Sequence, residues 1–163
     1  MSEWLVNIFG NLSPQWIVVI VSAMPVSELR GAIPIGIMLG VTPVKVFVLA
    51  VFGNLIPVLP LLYFLEPVSE RLRKFPFFKK FFDWLFERTR KKSKIIEKYE
   101  LLGLMLLVAI PLPMTGAWTG CIAASLLKLE KKFSFFAVGT GVAIAGVIVT
   151  ILTLSAKGYF ANV

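Results

Sequence analysis

Glu28 and Arg30 stand two residues apart inside an otherwise apolar run, and they are the side chains best equipped for chemistry. An ionised group at the centre of a hydrocarbon layer costs roughly 2.5–3.5 kcal/mol on insertion scales, so a pair of them needs partners or a task. Positions i and i+2 of a continuous helix do not face each other. Such a pair cooperates only where the backbone breaks, and Pro25 and Gly31 are the residues that break it. Two readings stay open. In one, the charges form a structural ion pair that fixes a hairpin tip. In the other, Arg30 anchors an anionic headgroup with help from the N–H groups of a half-helix N-terminus, and Glu28 exchanges a proton as the coupling group.

A second constellation lies far along the chain, in Ile110-Pro111-Leu112-Pro113-Met114-Thr115-Gly116-Ala117-Trp118-Thr119. Pro111, Pro113 and Gly116 interrupt a helix, and Thr115, Trp118 and Thr119 supply hydrogen-bonding groups beside the break. Asn54, in Gly53-Asn54-Leu55-Ile56-Pro57, serves equally well as a ligand contact or as an interhelical hydrogen bond worth about 0.6 kcal/mol. Cys121 reads as a small packing residue, and Gly139, Gly141 and Gly146 as helix-contact residues.

Other chemistries are excluded by residue type. The chain has no His and one Cys, so it offers no His/Cys metal site, no Cys–His nucleophile and no intrachain disulfide. No phosphate-loop motif and no acid–base–nucleophile set is present, so neither an enzyme nor a cofactor is expected. Apolar residues make up 58% of the 163 and mean hydropathy is +0.86, which excludes a water-soluble or disordered chain. The formal charge is +8, with eleven Lys and Arg against six Asp and Glu in residues 66–100. A basic block between apolar segments is the mark of a cytoplasmic loop, and it argues against nucleic acid as partner.

The elements that must position these residues are four apolar blocks, 15–40, 44–65, 101–127 and 133–156. Each is long enough to cross a bilayer once. The loops say otherwise. Residues 66–100 and 128–132 are both basic, so both ends of block 101–127 belong in the cytoplasm and the block must enter and return. A turn at that depth needs protein or a water-filled cavity around it. Block 15–40 has the same design, with its break at Met24 to Gly31. A shift of 86 positions superposes Ala23 on Ala109, Pro25 on Pro111 and Gly31 on Ala117, and both blocks carry a G-x-x-x-G (Gly36–Gly40 and Gly116–Gly120).

The expected fold is an all-α integral membrane protein, a single membrane domain over 1–163. It is an inverted repeat of a re-entrant helical hairpin followed by a transmembrane helix (15–40 with 44–65, 101–127 with 133–156). Discontinuous segments at matching positions of two halves mark a transporter's binding site. Residues 1–14 lack a signal peptide's basic start and read as an interfacial helix, with Trp4, Leu5, Ile8, Phe9 and Leu12 on one face. In 66–100, Phe77, Phe78, Phe81, Phe82, Trp84 and Leu85 oppose Lys80, Asp83, Glu87, Arg90 and Lys91, as on an amphipathic helix at the inner leaflet.

The stretches Pro25-Val26-Ser27-Glu28-Leu29-Arg30-Gly31-Ala32-Ile33-Pro34 and Pro111 to Gly120 resemble the two signature stretches of the putative small multidrug export protein family. That family is similar to the wider DedA/VTT superfamily, and the resemblance covers nearly the whole chain. Glu28, Gly31 and Pro34 fit the DedA pattern of a Glu, a Gly/Ala and a P-x-P turn, while Gly36 stands in place of the second proline. The resemblance implies two facing re-entrant hairpins in a multi-pass protein of the cytoplasmic membrane. It also implies a transporter or flippase for an anionic lipid, a polyprenyl phosphate carrier or a phospholipid, with protons as coupling ion. A small proton-coupled multidrug exporter is the alternative, and a non-transporting lipid-shaping or insertion scaffold the second. A homo-oligomer stays open. The expected substrate- and ion-binding set is Glu28, Arg30, Gly31, Pro34, Asn54, Pro111, Pro113, Thr115, Gly116, Trp118 and Thr119.

The loop argument is testable by sidedness. In a Cys121-free background, Glu130→Cys and Lys80→Cys should both resist an impermeant thiol reagent added from outside. Labelling at 130 but not at 80 would restore four single crossings.

Overall fold

The computed structural model describes residues 12–72, 93–111 and 115–161. The expected interfacial helix over 1–14, apart from its last residues, lies outside them, as do Pro113 and the aromatic and charged faces read in 77–91. Among the described residues all regular structure is helical: α1 (Pro14–Ala23), α2 (Glu28–Met38), α3 (Pro43–Leu55), α4 (Val58–Leu72), α5 (Ser93–Ala109), α6 (Ala117–Leu126) and α7 (Lys131–Ala161).

Local rules set the helix ends. Pro14 opens α1, where its missing N–H costs nothing. Met24 closes it in an extended conformation (ψ 141°), as a residue preceding proline prefers. The chain then turns and re-enters a helix at Glu28. At its far end α2 stops at Gly40 (φ +82°), with the Gly40 N–H donating to the Ile37 carbonyl and the Val41 N–H to the Gly36 carbonyl. This is the paired C-terminal cap that a left-handed glycine permits. Thr42-Pro43 starts α3.

Similar local rules end the helices of the second half. Helix α5 stops at Ala109 before Pro111, α6 starts after Gly116, and α6 ends in the same paired cap. There the Lys128 N–H donates to the Ser125 carbonyl and the Leu129 N–H to the Ala124 carbonyl. Helix α7 follows.

Small residues let these helices close on one another. A Cβ at Gly36 would lie 2.6 Å from Val18 and 2.8 Å from Val46, so α1 folds back along α2 and both meet α3. A Cβ at Gly120 would lie 2.6 Å from Val108, and one at Gly141 2.7 Å from the Met105 carbonyl, which joins α5, α6 and α7 in the same manner. Gly36 and Gly120 are thus the contact glycines of the two G-x-x-x-G pairs, whereas Gly40 is a cap. Gly146 abuts Phe47 and ties α7 to α3. Val18, Leu29, Ile33, Val46, Val58, Val108, Val138 and Val142 form the fully buried core. Trp16, Phe52, Phe64, Phe136 and Ile151 are exposed, an apolar exterior suited to lipid.

Among the described residues two runs are long and apolar enough to cross a membrane: Pro43–Leu65, of 23 residues, and Lys131–Ala156, of 26. The first was expected as one continuous helix. It is instead interrupted at Ile56-Pro57, between α3 and α4. Pro57 has no N–H to give the preceding turn, and its ring crowds the carbonyl four residues back. Lys131 Nζ lies 4.7 Å from the centroid of the Tyr63 ring, so the end of the first run and the start of the second are level.

Gly53 carries the tightest of these helix contacts. A Cβ there would meet Ser22 Oγ and lie 2.6 Å from the Val19 carbonyl oxygen, a backbone atom that cannot swing away. Gly53→Ala should lower stability by about 1–3 kcal/mol. Gly103→Ala, on an α5 face with nothing within 4 Å, should be neutral or slightly stabilising. Thermal melting of the two purified variants tests the contrast.

Candidate functional site between the two hairpins

The break at Pro25 places Glu28 first in α2 with φ +46°, in the left-handed region that costs a side-chain-bearing residue about 1–2 kcal/mol. That backbone sends the carboxylate out of its own hairpin. Only 6% of Glu28 is exposed. Its Oε1 accepts the Trp118 N–H at 3.4 Å, and the Ala117 N–H bonds the same carboxylate. These are the first donors of α6, whose N-cap, Gly116, has no side chain to satisfy them. Glu28 therefore caps a helix 90 residues away, and its charge complements the positive end of that helix. Gly116 makes the approach possible, since a Cβ there would overlap the Glu28 carboxylate.

Arg30 crosses the same gap to the other broken end. Its Nη2 donates to Thr115 Oγ1 at 3.0 Å and to the Ile110 carbonyl at 3.3 Å, and the Thr115 hydroxyl donates to that same carbonyl at 3.0 Å. Ile110 follows the last residue of α5, where carbonyls lack helical partners and a cation suits the negative helix end. Glu28 and Arg30 also attract each other electrostatically. The structural reading expected the pair to fix its own hairpin tip. Each charge instead serves the opposite hairpin.

The remaining expected residues divide. Gly31 belongs to the turn that presents the pair: its N–H donates to the Ser27 carbonyl at 2.8 Å, and a Cβ there would sit 2.9 Å from the Ser27 side chain. Pro34 lies within α2, Pro111 beside Ile110, and Thr119 in the first turn of α6. Trp118 contributes its backbone N–H, while its indole Nε1 is buried with no hydrogen-bond partner. Asn54 is fully buried, and neither of its amide atoms has a partner. It sits just before the α3–α4 break and shares no hydrogen bond with the charged cluster. Cys121 is fully buried, as a packing residue should be, and its Sγ reaches the Val58 carbonyl at 3.9 Å.

Sequence reasoning expected N–H groups of a half-helix N-terminus without identifying them as those that open α6, and it missed the Ile110 carbonyl. The available signal was that Pro111 and Gly116 leave two helix ends uncapped. Among the described residues no three His, Cys, Asp or Glu side chains gather as metal ligands would. The arrangement can hold an anion on the α6 N-terminus and Arg30, a position now filled by the chain's own carboxylate.

The family model described as Putative small multi-drug export protein matches residues 28–148, which begin at Glu28 and take in both halves of the site. The chain belongs to that family. No curated protein and no solved structure matches it.

If Gly116 exists to admit the Glu28 carboxylate, the two positions must be energetically coupled. Gly116→Ala should destabilise the parent by at least about 1 kcal/mol more than it destabilises a Glu28→Ala background. Additive costs in that double-mutant cycle would mean that the carboxylate does not rest on α6.

Proposed function

We propose that this membrane protein moves an anionic lipid, a polyprenyl phosphate or a phospholipid, across the cytoplasmic membrane with protons as the coupling ion. The observation that carries the reading is the seating of Glu28. Its carboxylate occupies a helix N-terminus beside Arg30, the surroundings a phosphate group favours. A phosphate entering there displaces the carboxylate from α6, and a displaced carboxylate in a low-dielectric site takes up a proton. Binding of the anion is thereby tied to proton movement.

The helix lengths support hairpins that enter and return. Helices α1 and α6 have 10 residues each, about 15 Å of rise against a hydrocarbon core of about 30 Å. The shared plan of broken hairpin, paired cap and long helix supports an inverted repeat of DedA type. The Lys131–Tyr63 contact supports placing 66–100 and 128–132 on one side of the membrane, the cytoplasmic one by their charge. The family's description favours a second reading, in which Glu28 binds a cationic drug in competition with protons. Arg30 in the same cluster opposes it, since the guanidinium repels a cation.

Flipping of fluorescent lipid phosphates in proteoliposomes with an imposed pH gradient separates the two. Arg30→Ala should abolish flipping, and Arg30→Lys should keep a fraction, since lysine retains the charge without the bidentate fork. Glu28→Gln should still bind the anionic lipid yet lose the response to the gradient. Loss of lipid binding in Glu28→Gln, with proton-competitive binding of cationic drugs by the parent, would establish the exporter reading instead.

A further inference from the structure

The turn between α6 and α7 differs from its counterpart between α2 and α3 in one residue type. Both helices end in the same paired cap, which places its central residue in the left-handed region. The first half puts Gly40 there, at φ +82° with open space around it. The second half puts Lys128 there, at φ +54°. Glycine is the default for this position because it has no Cβ to strain, so a lysine is held at a cost that glycine would avoid.

Lys128 stands at the edge of a small cleft of about 40 Å³, room for a single small group, lined also by Leu62 of α4, Ser125 of α6 and Lys131, the first residue of α7. Its polar lining residues are Lys128, Ser125 and Lys131, whose ammonium also lies over the Tyr63 ring. The Ser125 Oγ is buried without a hydrogen-bond partner, although a serine in a helix ordinarily bonds a carbonyl one turn back. On the same face of α7 as Lys131, one turn further in, the fully buried Ser134 hydroxyl is likewise unpartnered. Leu62 is three residues from the end of one apolar run and Lys131 begins the other, so the cleft opens where the membrane surface would lie.

We propose that this cleft binds a phosphate group at the membrane surface, separately from the Glu28–Arg30 cluster. Lys128 and Lys131 supply the charge and Ser125 Oγ a hydrogen bond. Three donor-bearing residues at the ends of α6 and α7 can together serve a tetrahedral oxyanion better than a flat carboxylate or a bare halide. The phosphate of a lipid headgroup and a soluble phosphate ester present this same chemistry. The cap strain at Lys128 then has a reason: the left-handed backbone is what brings an ammonium to the cleft.

Thermal melting of the full chain in neutral detergent tests the site, with inorganic phosphate compared against chloride and acetate at equal ionic strength. Phosphatidylglycerol vesicles compared against phosphatidylcholine vesicles form the lipid arm. Phosphate or phosphatidylglycerol should raise the melting temperature of the parent, of Lys132→Gln, whose exposed side chain does not line the cleft, and of Arg30→Ala. The Lys128→Gln/Lys131→Gln double variant should need at least about tenfold more ligand for the same rise. Protection in the soluble arm alone identifies a free phosphate ester as occupant, and in the vesicle arm alone a lipid headgroup. Lys128→Gly should melt higher than the parent in chloride, where only the strain is removed, and gain less from phosphate. The proposal falls if neither arm protects, if acetate protects as well as phosphate, if Lys132→Gln loses as much as the double variant, or if Lys128→Gly melts lower than the parent in chloride. Retained protection in Arg30→Ala keeps this test independent of the lipid-transport reading.

Discussion

Two charges crossing between hairpins are the constraint on which the rest of this structure depends. Glu28 reaches the bare N-terminus of α6, and Arg30 reaches the bare C-terminal end of α5. Each carries the sign that its helix end attracts. In an apolar interior an unpaired charge or an orphaned backbone group is far more costly than in water. The two hairpins must therefore meet, and meet in this register. The left-handed backbone of Glu28 and the missing side chain of Gly116 both follow from that demand.

Close helix packing is the means of meeting it. Gly36, Gly53, Gly120 and Gly141 each leave out a side chain where another helix passes, so short helices can stack without a large apolar core between them. Lipid tails are as apolar as leucine, so such contacts, rather than exclusion of water, hold membrane helices together. The same tightness limits how the site can change. If Glu28 leaves α6, the first N–H groups of that helix need another acceptor at once. The unpartnered Asn54 amide beside the Ile56-Pro57 break marks a second place where the packed state leaves polar groups open.

The two halves share a sequence of elements but not of duties. Each has a broken pair of helices, a paired cap and a long apolar run. The charges lie only in the first break, and the Thr115 hydroxyl and the helix ends that those charges serve lie in the second. One half supplies ions and the other supplies dipoles, so the cluster exists only when both are folded together. The caps divide in the same way, with Gly40 in one half and Lys128 in the other.

Much of this was legible in the chain because it is local. Pro25 and Pro111 disfavour helix for the residue before them, glycine permits the cap at Gly40, and long apolar runs between basic loops specify membrane-crossing segments. Glu28 and Arg30 announced themselves by their cost in such surroundings. What the chain alone left open was every relation between residues far apart in sequence: which helix end each charge serves, why Gly116 must lack a side chain, and that Lys131 lies over Tyr63. The kink at Pro57 was missed because an apolar run looks the same whether its helix is straight or broken. Steric and solvation rules act on neighbours in sequence. The partner of a charge is chosen by packing in space, and only the folded chain makes that choice.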